Sequence, residues 1–142
     1  MRALLDVNVL IALLDAAHMH HARATHWLQQ EIGHGWASCP LTQYGCLRIM
    51  AQPAYPQALP LAAVASRLAQ ATAHPSHAFV ADDYSLLDAN QLHWKHLLGH
   101  RQITDSYLLG LAVRHQCRLV RFDARLDLDA VPGARAEHLV TL

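Results

Sequence analysis

The chain has 142 residues, 53% hydrophobic and 15% charged, with acids and bases balanced to a formal net charge of zero. That mixture excludes a disordered chain, and its neutrality removes any global basic field that would gather nucleic acid. No apolar run is long enough to span a bilayer and no leader layout is seen, so a cytoplasmic protein folded as a single domain over residues 1–142 is expected.

The first element is "RALL", an apolar run that meets Asp6 and then continues as "VNVLIALLD". Together they exceed a normal strand, which predicts a strand followed directly by a helix from Val7 to Asp15, with Asp6 as its N-cap. "HARATHWLQQEIGHG" predicts a second helix with Ala22, Trp27, Leu28 and Ile32 toward the core, ended by Gly33 or Gly35. "WASC" reads as a short buried strand. Pro40 then opens a helix whose apolar face carries Leu41, Cys46, Leu47 and Met50. A proline-rich loop, "PAYPQALP", leads to the Ala-rich helix "LAAVASRLAQATA", and "HAFVADD" is a third strand. "YSLLDANQLHWKHLLGHRQ" is expected to hold a short helix and a loop. "TDSYLLGLAVRHQ" is an amphipathic helix with Thr104 as candidate N-cap, "CRLVRFD" a strand and "EHLVTL" a last one.

Strands alternating with helices predict an α/β fold in three layers, helices on both faces of a central, mainly parallel sheet. In such sheets chemistry gathers beyond the carboxyl ends of the strands. Asp6 ends the first strand and Asp123 the "RLVRFD" strand, while Asp105 sits in the first turn of the helix feeding that strand. Each alone reads as a helix cap or turn residue. Together they crowd one sheet edge, where mutual repulsion calls for a cation, and hard oxygen donors suit Mg²⁺, with Mn²⁺ able to substitute. Asn8 could orient a ligand or a water beside them.

Other constellations are weaker. Cys39, Cys46 and Cys117 are odd in number and lack C-x-x-C spacing, so they read as small core residues. Of the twelve histidines only His93 and His96 have a spacing that suits a metal on one helix face, and polar loop roles fit them better. Six of the eleven basic residues, Arg101, Arg114, Arg118, Arg121, Arg125 and Arg135, fall in the last 42 positions; solvated helix and turn charges are their commoner reading, and a basic rim making phosphate contacts beside the acids is compatible with them.

The segments "LLDVNVLIALL", "HARATHWL", "WASCPLTQYGCLRIM" and "HRQITDSYLLGLAVRHQCRLVRFD", in this order, resemble the PIN-domain ribonucleases, and among them the VapC-type toxins of bacterial toxin–antitoxin pairs. The resemblance implies a PIN-like fold and Mg²⁺-dependent endonucleolytic cleavage of RNA. It also implies Asp6, Asp105 and Asp123 as the metal-site acids, with Asn8 and Thr104 positioning groups around them. A small VapB-type antitoxin partner and a homodimer are further expectations. One position departs from the pattern: Gln43 stands where the family usually carries an acid. Its amide can ligate or hydrogen-bond but brings no charge, so a second metal should be held less well. The competing reading is a catalytically impaired PIN-fold module that binds RNA or an antitoxin. A phosphate-transferring enzyme of the haloacid-dehalogenase kind ranks last, because Asn8 stands where its second acid belongs.

Overall fold

In a computed structural model the chain is described over residues 1–123 and 125–142. Among these, five strands form one sheet: β1 (Arg2–Leu5), β2 (Trp36–Ser38), β3 (His77–Phe79), β4 (Cys117–Arg121) and β5 (Leu139–Thr141). Their order is β3-β2-β1-β4-β5, and every pairing is parallel. The predicted α/β architecture is borne out.

Strand parity builds the layers. Leu4, Ala37 and Leu119 join one buried cluster, while their strand neighbours Leu5, Trp36 and Val120 join another on the opposite face. Helix α5 (Ile103–Arg114) packs into the first cluster through Leu108, Leu109, Leu111 and Ala112. Helices α1 (Val7–Leu14), α3 (Pro40–Met50) and α4 (Leu61–Thr72) supply Val9, Leu10, Cys46, Met50, Val64 and Leu68 to the second. The central strands are buried on both faces and therefore read as mostly apolar runs, interrupted by Arg2 in β1 and by Arg118 and Arg121 in β4.

Helix α2 (His21–Glu31) corrects one expectation: Ala24 is its buried alanine and Ala22 is exposed, as is Ile32. Its moderate apolar content let the face be drawn one turn position off. After a 3₁₀ turn the chain reverses at Gly35, whose φ of 76° suits a residue without a Cβ.

The segment expected to contain a short helix between β3 and α5 forms only two 3₁₀ turns, Trp94–His96 and His100–Gln102. Leu92 is buried there, but Leu87 and Leu98 are exposed, so no apolar stripe supports an α-helix. Because the second turn runs straight into α5, Gln102 is the N-cap and Thr104 lies inside the helix. The expected cap at Thr104 is thereby corrected. The three cysteines are free and buried, as expected of core residues.

Helices α1 and α3 meet where Gly45 lies against Val7: a Cβ at Gly45 would come within 2.6 Å of Val7 Cγ2. Val7 is β-branched and stiff, so the helices would have to separate. Gly45→Ala is expected to cost about 1–3 kcal/mol in urea unfolding, as overpacked contacts do; an unchanged midpoint would show that the contact yields freely.

Candidate active site

The site follows from register. Leu5 pairs with Val120, and the Asp6 N–H donates to the Val120 carbonyl at 3.0 Å, so Asp6 and Arg121 fall side by side at the carboxyl edge. Parity sends both toward the face covered by α5. That helix runs back against β4, which brings its first turn, and Asp105, to the same edge.

Asp6 is buried, 8% exposed, and does two things at once. As N-cap of α1 it accepts the Val7 N–H on Oδ1 at 2.7 Å. Burial first, and the neighbouring Asp105 charge second, push its carboxyl up to about 6. Asp105 is also raised, mainly by burial, with Asp123 adding repulsion. Asp123 lies just beyond the end of β4, more exposed, where the Arg125 N–H donates to Oδ1 at 2.9 Å and holds its carboxyl below the usual range.

Sequence reasoning missed the cation in this cluster. Arg121, the last residue of β4, is 4% exposed and donates from Nη2 to Asp105 Oδ2 at 2.8 Å. Its signal was present: an arginine two residues after the buried Leu119 shares that residue's core-facing parity.

Gln43 sits in α3, where its Nε2 donates to Ser38 Oγ at 3.0 Å; Ser38 Oγ in turn lies 2.9 Å from His77 Nε2. These bonds run toward β2 and β3 rather than to the three acids. Thr104 is exposed on the first turn of α5 beside Asp105, and Asn8 is exposed on the first turn of α1 beside Asp6.

His93 and His96 flank and enter a 3₁₀ turn, not the helix face their spacing suggested. Each ring meets the segment after β4: His93 Nδ1 lies 2.8 Å from the Asp129 carbonyl and His96 Nδ1 3.2 Å from Asp127 Oδ2. His96, Asp127 and Asp129 bring their donor atoms within 4.8 Å of one another on the exposed surface, and among the described residues they are the group of three or more that does so. The oxygens of Asp6, Asp105 and Asp123 are more widely spread.

The donor set at the sheet edge nevertheless fits a hard divalent ion. A buried carboxyl, Asp6, and a half-buried one, Asp105, both have raised proton affinity, and a third, Asp123, stands at the rim, an all-oxygen set of hard donors. A cation would relieve the repulsion that raises Asp6. A cavity of about 110 Å³ lined by Asp15, Tyr55 and Arg67 lies away from these acids, at the other end of α1.

A parallel three-layer sheet with acids following its two central strands and the first turn of α5 defines a class of α/β protein with an acidic edge at the strand-order switch. The PIN domain pattern matches residues 3–132. Ribonuclease VapC44 of Mycobacterium tuberculosis is 48% identical over all 142 residues, covering both chains completely. Ribonuclease VapC38 of the same organism is 44% identical over 123 residues, covering 86% of this chain and 85% of that one. A structure of VapBC2 from Rickettsia felis, bound to a DNA fragment from their promoter, superposes with a TM-score of 0.64 at 12% identity, covering 100% of this chain and 98% of that one. The chain belongs to the PIN-domain family, in its VapC branch.

Proposed function

We propose that this protein is a Mg²⁺-dependent endoribonuclease, the toxin of a type II toxin–antitoxin pair. The observation that carries the reading is the buried Asp6 carboxyl, raised in part by the charge of the half-buried Asp105 at the same sheet edge, in a chain 48% identical to a named ribonuclease. Asp6 and Asp105 would hold the ion, and Asp123 would complete the acidic cluster or orient the attacking water. When bound, a divalent ion lowers the pKa of a water and offsets charge building on the phosphate. The protein's own part is orientation. The α1 cap fixes Asp6, and Arg121 fixes Asp105. Asn8 and Thr104, exposed on the adjoining first turns, would position water or phosphate oxygens.

The partners follow from the same reading. An acidic edge suits an arginine or lysine from a VapB-type antitoxin, whose charge would stand in for the ion. A homodimer is part of the proposal, as is a cytoplasmic setting. Among the described residues no helix is long and apolar enough to cross a membrane.

Labelled RNA incubated with the purified full chain tests the reading: cleavage with Mg²⁺ or Mn²⁺ and none in EDTA is expected. Cleavage unaffected by EDTA would overturn it.

Gln43 is given a lesser, flanking role, because its amide nitrogen is committed to Ser38. Gln43→Glu adds a charge near the edge but loses that donor. It is expected to raise Mn²⁺ affinity by less than about tenfold, since a charge outside the coordination sphere acts through a screened field. It should also lower the melting temperature in chelator. A larger gain in a Mn²⁺ titration would show the new carboxylate on the ion itself.

A further inference from the structure

We propose that Arg121 is a resident counter-ion of the acidic edge, a positioning residue whose guanidinium stands in for a second cation and limits the site to one divalent ion. The inference rests on the metal reading of Asp6, Asp105 and Asp123.

Three observations carry it. Arg121 is buried, with only 5% of its side chain exposed, yet among the described residues its guanidinium bonds to Asp105 alone; Nε and Nη1 are buried and without partners there. A guanidinium left so under-satisfied is costly to bury unless a surrounding negative field compensates it. That field is present. Arg121 is bonded to Asp105, lies beside Asp6 in the β1–β4 register and stands two residues before Asp123. Finally, the formal balance closes once solvent screening is counted: Arg125, its Nε 3.7 Å from Asp123 Oδ1, is 92% exposed and screened, so three carboxylates and the one buried guanidinium leave two negative charges, which a single divalent ion cancels. Gln43, which is bonded to Ser38, and Asn8 and Thr104 on the adjoining first turns are neutral, so they add nothing to the balance.

The geometry also divides labour within Asp105. Arg121 occupies Oδ2, leaving Oδ1 free of protein hydrogen bonds among the described residues. One carboxylate thus faces the fixed cation with one oxygen and can face the ion with the other. A lysine at the same place would keep the charge but not the planar fork.

The test is a Mn²⁺ titration of the full chain, free Mn²⁺ being read by electron paramagnetic resonance, for the parent, Arg121→Lys and Arg121→Gln, with thermal unfolding of each in EDTA and in Mn²⁺. The parent is expected to bind one Mn²⁺ that Asp6→Asn loses, and Arg121→Lys to follow the parent in number of ions. Arg121→Gln should bind at least about tenfold more tightly or take a second ion, since removing a unit charge a few ångströms from a divalent ion changes affinity by that much or more. In EDTA it should melt below the parent, and Mn²⁺ should recover the difference. Equal number and affinity in the parent and Arg121→Gln would overturn the proposal while leaving the metal reading intact. So would an Arg121→Gln chain that fails to fold in EDTA and is not rescued by Mn²⁺, which would make Arg121 a packing residue. A parent that binds no Mn²⁺ would remove the metal reading itself, and this proposal with it.

Discussion

Asp6→Asn is expected to cut divalent-dependent RNA cleavage by on the order of a hundredfold to a thousandfold, the loss seen when one charged element of a preorganised site is removed. The fold should survive. Asparagine caps helices as well as aspartate does, so the bond that Asp6 Oδ1 accepts from Val7 can be kept. Asp105→Asn is a less clean probe: it leaves the buried Arg121 guanidinium without its carboxylate, and one broken partner of a buried pair destabilises strongly. A single-turnover assay on labelled RNA checks the activity, and circular dichroism the fold. Cleavage by Asp6→Asn at the parent rate would remove Asp6 from the chemistry.

The second large effect is on stability. Asp6 titrates near 6 when folded, above the ordinary aspartate value, because burial and Asp105 disfavour its charge. A raised carboxylate contributes stability that is fully present below about pH 4, where both states are protonated, and is lost as pH rises through the folded value. The shift from 3.8 to about 6 corresponds to about 3 kcal/mol. The metal-free parent should therefore lose that much stability relative to Asp6→Asn between about pH 4 and pH 7. The comparison between the two proteins is needed because Asp15 and Asp83 are lowered and act in the opposite sense, losing their contribution as pH falls. Urea unfolding in EDTA across that range reads the difference. Parallel curves for parent and variant would mean that Asp6 is not charged against its surroundings.

Most of the scaffold could be read along the chain because its strands are buried on both faces. "ALL" and "LV" at the strand centres are apolar, and Asp6 and Asp123 near the strand ends stood out against that background. Asp6 caps α1, as one of its readings has it, and the Asp105 charge also acts on it, as the proposed site requires. Sequence alone could not separate these, since one carboxylate has two oxygens. What escaped was set by contacts between distant segments. Arg121 reads locally as an ordinary charge at a strand end, and only the return of α5 against β4 gives it Asp105, 16 residues away. His96 and Asp127 meet across 31 residues, through turns with no periodic signal. Thr104 looked like a cap because threonine before an apolar run usually is one. The preceding 3₁₀ turn had already begun the helix.

The His96, Asp127 and Asp129 group supplies a built-in competitor for any claim about where an ion binds. Anomalous diffraction from crystals of the full chain grown with Mn²⁺ separates the two places directly. A peak between the carboxylates of Asp6 and Asp105, with Asp123 at or one water from the ion, is the expected result. Density at His96, Asp127 and Asp129 alone, with Asp6 and Asp105 left bare at saturating Mn²⁺, would contradict the assignment of the sheet edge as the catalytic centre.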